Sequence, residues 1–159
     1  MTKDNDDIIS SDNPLSEDQR RTLANLLDMI IPPSEDGRMP GASEVDVLGY
    51  IRDNRSDSIA LIVAGLTALD ELSDTRHGEG FAALAGSDRQ TLVDELQKDQ
   101  AGFFQNLVSS TVICYYQHDR VLEALGLEAR PPFPEGYEVE PGDLSLLDPV
   151  RARGKLYRE

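Results

Sequence analysis

Leu23-Ala24-Asn25-Leu26-Leu27-Asp28-Met29-Ile30-Ile31-Pro32-Pro33 is the stretch on which the fold turns. Leu23, Leu26, Leu27, Ile30 and Ile31 recur at helical spacing and form one apolar stripe. Pro32-Pro33 stops the helix, because proline has no N–H to donate and restricts the residue before it. Upstream, Ser16 precedes Gln19 by three residues, the spacing of a capping box that satisfies orphaned N–H groups at a helix start. The sequence therefore predicts a helix entered at Ser16 and closed by two prolines.

Downstream, the loop 32–42 is rich in proline, glycine and charge. A second helix is predicted from near Ser43 to Asn54, with Val45, Leu48 and Ile51 inward. A third starts around Asp57 and carries Ile59, Ile62, Val63, Leu66, Leu69 and Leu72. Gly78 and Gly80 mark a turn, and Phe81-Ala82-Ala83-Leu84 reads as a short helical piece. Ser87 with Gln90 repeats the capping-box spacing ahead of Leu92, Val93 and Leu96. The longest apolar face follows: Phe103, Phe104, Leu107, Val108, Thr111, Val112 and Tyr115. A short helix from Asp119 to Leu125 ends at Gly126, a usual residue just past a helix. No run of alternating β-formers is bounded by hairpin turns. The fold class is all-α: a single bundle of about five to six helices over residues 16–126. A flexible acidic arm, 1–15, precedes it, and an extended Pro/Gly-rich C-terminal arm, 127–159, follows it.

The chain has 159 residues, 39% of them hydrophobic, which suits one domain with its own core. Its 30 acids against 15 bases give a net charge of −15. Such a field is repelled by phosphate backbones and anionic lipid, so nucleic acid is excluded as a partner. No apolar run approaches the roughly 20 residues that a membrane-spanning helix needs, which excludes insertion. The acidic surface either keeps the protein in solution or docks on a basic partner. Met1-Thr2-Lys3-Asp4-Asn5-Asp6-Asp7 lacks the basic region and apolar run of a secretory signal, so the chain as written reads as cytoplasmic. Export with a partner, or removal of a signal, would place it in the periplasm instead.

Catalytic equipment is sparse. His77 and His118 stand far apart and fit no zinc-ligand spacing. Cys114 is the sole cysteine, which excludes an internal disulfide, and its apolar and aromatic neighbours suggest a buried thiol. Cys114 and His118 share a helical face at i, i+4, the one pairing that admits an enzymatic reading. Gly78-Glu79-Gly80 lacks the strand and third glycine of a dinucleotide loop, and no Glu-x-x-His motif suggests a di-iron site. The expectation is that no catalytic, cofactor-binding or metal-binding residue lies on this chain.

The C-terminal arm reads differently. Its prolines and glycines exclude a long helix, yet Phe133, Tyr137, Val139, Leu144, Leu146, Leu147, Val150, Leu156 and Tyr157 are spread among them. Disordered tails are usually poorer in such residues, so the arm is expected to order against its own bundle or a partner. Arg151, Arg153, Lys155 and Arg158 face a single acid, Glu159, in the last nine residues. Phe133, Tyr137, Arg151, Arg153, Tyr157 and Arg158 are the candidate partner-binding residues.

The block ending in Ile30-Ile31-Pro32-Pro33, followed by Met39-Pro40-Gly41-Ala42-Ser43-Glu44-Val45 and Tyr50-Ile51, resembles the opening of the gluconate 2-dehydrogenase subunit 3 family. The resemblance continues through Gly65-Leu66, Leu69-Asp70, Gly80-Phe81, Leu84, Arg89, Phe103-Phe104, Thr111 and Tyr115-Tyr116, over roughly residues 16–126. It implies a small accessory subunit, without catalytic residues, that helps a large FAD-dependent glucose–methanol–choline type dehydrogenase mature, fold or be exported. FAD is then expected on the partner subunit. Many relatives carry a twin-arginine export signal, whereas Arg20-Arg21 sits inside the first predicted helix with no apolar run behind it. The end beginning Arg130-Pro131-Pro132-Phe133 lies outside the matched pattern. The rival readings are a free-standing regulatory binding module and an independent enzyme using Cys114 and His118.

Overall fold

The computed structural model describes residues 14–130, 136 and 142–153. The chain divides between Ala129 and Arg130 into two units. The described residues form helices and turns without strands, as the all-α reading expects. Six α-helices belong to the first unit: α1 (Glu17–Ile30), α2 (Val47–Asn54), α3 (Ile59–His77), α4 (Gly86–Asp99), α5 (Ala101–Tyr115) and α6 (Asp119–Ala124).

Helix α1 forms as its sequence dictates. The Ser16 side chain accepts the Gln19 N–H at 3.1 Å, and the Gln19 carboxamide oxygen accepts the Ser16 N–H at 3.0 Å, closing the capping box. Glu17 and Asp18 occupy the first turn, where their charge favours the positive helix end. The Ile31 N–H still reaches the Leu27 carbonyl at 2.9 Å before the two prolines end the ladder. Leu23, Leu26 and Leu27 are buried, while Ile30 and Ile31 pack against the core from a partly exposed position.

The second helix begins later than expected. Ser43 and Glu44 are drawn into a 3₁₀ turn, Ala42–Glu44, and Asp46 caps α2 by accepting the Gly49 N–H at 2.9 Å. Helix α3 follows a 3₁₀ turn at Ser56–Ser58, buries Ile62, Leu66 and Leu69, and ends at Gly78 in the left-handed conformation (φ 74°). The Ser87–Gln90 capping box does not form. Helix α4 starts two residues earlier, after an uncapped Ala85, so Ser87 is already helical and its carbonyl accepts the Thr91 hydroxyl. Arg89 secures that start instead, donating to the Leu84 carbonyl at 2.8 Å and to the Asn25 side-chain oxygen of α1.

Helix α5 is the centre of the unit. It packs against α1, α2, α3 and α4, with Phe103, Phe104, Leu107, Thr111 and Tyr115 buried. The Phe103 ring lies against Gly65 of α3 so closely that any Cβ there would overlap it. Glycine at 65 is thus a packing requirement. Val108 and Val112, which the sequence places on the apolar face, are exposed, because α5 is apolar on more than one side and this line of it is left uncovered. Helix α6 closes with the Leu127 N–H on the Leu122 carbonyl and the Gly126 N–H on the Glu123 carbonyl, both at 2.9 Å, around Gly126 at φ 77°.

In the second unit, a 3₁₀ turn at Leu144–Leu147 runs directly into a one-turn helix, α7 (Asp148–Arg151). This stretch was expected to be extended. The Asp143 carboxylate accepts the Ser145 N–H at 3.0 Å and starts the turn, and Pro149 sits in the first turn of α7, where its missing N–H is harmless.

Candidate partner-binding surface

The block Met39-Pro40-Gly41-Ala42-Ser43-Glu44 is committed to internal structure. The Tyr115 hydroxyl donates to the Pro40 carbonyl at 2.7 Å in a buried site. The Asp28 carboxylate accepts the Ser43 N–H at 3.0 Å and the Ser43 hydroxyl at 2.8 Å. A Cβ at Gly41 would collide with that carboxylate, so only glycine admits it. Ala42 is fully buried, and its N–H reaches back to the Ile31 carbonyl at 2.9 Å. Glu44 accepts the Gly41 N–H at 3.0 Å and pairs with Arg120 of α6 at 2.7 Å. The Arg120 guanidinium, then the Gly41 N–H, hold the Glu44 carboxyl below its usual range. These residues tie α1 to α5 and α6.

A cleft of about 720 Å³ lies between α1, α3 and the 3₁₀ turn Phe81–Ala83. Asp18, Asp70 and Asp74 line it, with Arg21 nearby. Asp70 accepts the buried Thr22 hydroxyl at 2.7 Å. Burial pushes its carboxyl above the usual range, and the charges of Asp74 and Asp18 add to the shift. Among the described residues no three His, Cys, Asp or Glu side chains converge to hold a metal ion. The Gly78–Gly80 turn is the C-terminal end of α3, where the Gly78 N–H is already bonded to the Asp74 carbonyl at 2.9 Å. A helix C-terminus presents carbonyl oxygens, which repel a phosphate.

Cys114 lies in the last turn of α5, and His118 is the residue just before α6. Cys114 is half-buried, not fully buried, and its thiol lies 3.8 Å from the Asp46 carbonyl. Burial, and then the Asp46 charge, push the thiol up. His118 sits between α5 and α6, with its carbonyl accepting the Val121 and Leu122 N–H groups and its buried Nδ1 without a hydrogen-bond partner. His77 is the exposed last residue of α3.

Among the described residues, large apolar side chains are exposed in both units. In the first unit, Val108, Val112 and Tyr116 follow one line of α5 at steps of four residues, all exposed. In the second, Leu144, Leu146, Leu147 and Val150 are 60%, 78%, 45% and 57% exposed. Of the residues predicted to meet a partner, Arg151 lies in α7 and pairs with Asp148 at 3.1 Å, and Arg153 follows it, exposed. Phe133, Tyr137, Tyr157 and Arg158 lie outside the described residues, as does the N-terminal arm as far as residue 13. The aliphatic set at 144–150 was not among the predicted contact residues. Its signal was present in the three-residue spacing of Leu144, Leu147 and Val150 behind the capping Asp143.

The sequence profile of the family described as gluconate 2-dehydrogenase subunit 3 matches residues 17–128. No curated protein and no solved structure matches the chain. No described helix is long and apolar enough to cross a membrane.

Proposed function

This chain belongs to the gluconate 2-dehydrogenase subunit 3 family, and from that premise we propose that it is a non-catalytic small subunit. It binds and stabilises, or helps to mature, a large FAD-dependent sugar or alcohol dehydrogenase. The observation that carries the reading is the match over residues 17–128, which spans all six helices of the first unit. The commitment of Asp28, Gly41, Ser43, Glu44 and Tyr115 to internal bonds supports a scaffold. FAD belongs to the partner. By mass action, a subunit that binds only the folded partner stabilises it by about 2.7 kcal/mol at a concentration 100 times Kd.

Co-expression with the large subunit tests the proposal. The expected result is a complex carrying flavin absorbance, and a lower yield and melting temperature of the large subunit when the chain is omitted. Stoichiometric flavin on the isolated chain, or sugar oxidation by it alone, would overturn the reading. A monomer that takes up no flavoprotein would identify a free-standing regulatory module instead.

A further inference from the structure

We propose that residues 46–58 form a strap across α5, one that lifts off as a unit while α1, α3, α4 and α5 stay packed together. The strap is independent of the accessory-subunit reading. It carries α2 and the 3₁₀ turn Ser56–Ser58. Both of its ends are anchored. Ahead of it, Asp28 holds Ser43 and Arg120 pairs with Glu44; behind it, α3 starts at Ile59 and buries Ile62. The Cys114 thiol lies 3.8 Å from the Asp46 carbonyl, and the Asn106 side-chain N–H donates to the Ser58 hydroxyl at 2.9 Å. Helix α2 therefore runs antiparallel to α5, over Ser110.

Asn106, Ser110 and Cys114 recur at steps of four along α5, so they form one line beneath the strap. That line is polar and poorly matched. Ser110 is fully buried, and its hydroxyl has no hydrogen-bond partner among the described residues; nor has the buried Asn106 Oδ1. One residue along, the buried Thr111 hydroxyl donates to the Leu107 carbonyl at 2.7 Å. A buried polar atom left without a partner forfeits its hydration and opposes burial, and opening returns it to water. Against that cost α2 sets two large buried side chains, Val47 and Ile51. Elsewhere α5 buries Phe103, packed on Gly65 of α3 and edge-on to Phe104. The plane between α2 and α5 is therefore where the first unit parts most readily.

Native-state hydrogen exchange of the full chain, read by NMR, tests the strap. The Tyr50 and Arg55 amides are bonded to the Asp46 and Ile51 carbonyls of the strap. They should exchange at least about tenfold faster than the amides of Leu66 in α3 and Leu107 in α5, with a denaturant dependence that is weaker but not zero. Ser110→Ala removes the hydroxyl that lacks a partner. It should slow exchange at Tyr50 and Arg55 by about fivefold or more relative to Ser109→Ala, which makes the same change of helix propensity at the partly exposed neighbour. Equal rates in α2, α3 and α5 would overturn the proposal, since α2 would then open only with the whole fold. A denaturant dependence of zero would overturn it too, by showing single residues fraying and not a unit lifting. Faster exchange in Ser110→Ala would show that the hydroxyl is bonded in the closed state, and would also sink the strap. So would a Ser110→Ala effect no larger than that of Ser109→Ala.

Discussion

Phe103 and Leu146 are both large apolar side chains, yet Phe103 is 0% exposed and Leu146 is 78% exposed. Around Phe103, α3 offers a glycine, α5 places Phe104 4.8 Å away edge-on, and neighbouring helices supply leucines. Around Leu146, the described part of the second unit buries nothing. Apolar surface stabilises a fold only where it leaves water, at roughly 25 cal/mol per Å². The core of the first unit therefore contributes to folding, whereas the exposed aliphatics at 144–150 contribute little to it.

Truncating both residues gives the largest contrast. Phe103→Ala should destabilise the protein by about 3–5 kcal/mol in urea unfolding. Leu146→Ala should stay within about 0.5 kcal/mol of the unaltered chain. A large effect at Leu146 would break the comparison. Gly65→Ala, which forces a Cβ into the Phe103 ring, should cost about 1–3 kcal/mol by overpacking. Tyr115→Phe removes the buried donor to the Pro40 carbonyl and should cost about 1–3 kcal/mol, read as a lower thermal midpoint.

The smallest effect is pH-dependent and belongs to Asp70. Its folded-state pKa lies above the unfolded value, so the folded state binds the proton more tightly. Ionised Asp70 then opposes folding above its raised pKa, and that cost fades as pH falls below the unfolded value near 3.9. Asp70→Asn keeps an acceptor for the Thr22 hydroxyl. It should raise the melting temperature at pH 7 and change it little at pH 3.5. An equal shift at both pH values would show that charge is not the cause.

Helix α1 was legible in full, because its start and stop are written in local chemistry: Ser16 with Gln19, and Pro32-Pro33. The Ser87–Gln90 spacing misled because such pairs also occur inside helices, and the true start at Ala85 is held by Arg89 from within the helix. The start of α2 moved because Asp28, fifteen positions upstream of Ser43, captures that serine. That bond is tertiary and leaves no trace in periodicity. Val108 and Val112 were not told apart from the buried positions of α5, because an almost wholly apolar helix does not reveal which side meets neighbours. On the second unit, Arg151 and Arg153 stood out by charge, while Leu144, Leu146, Leu147 and Val150 were read as residues that order the arm and not as contact residues.

The most direct test compares the whole chain with one ending at Ala129, in affinity for the large FAD-dependent subunit and in helical circular dichroism. The account predicts that the shortened chain keeps a cooperative melt close to that of the whole chain and binds at least about 30-fold more weakly. Collapse of the helical signal, or full affinity with the helices intact, would contradict it.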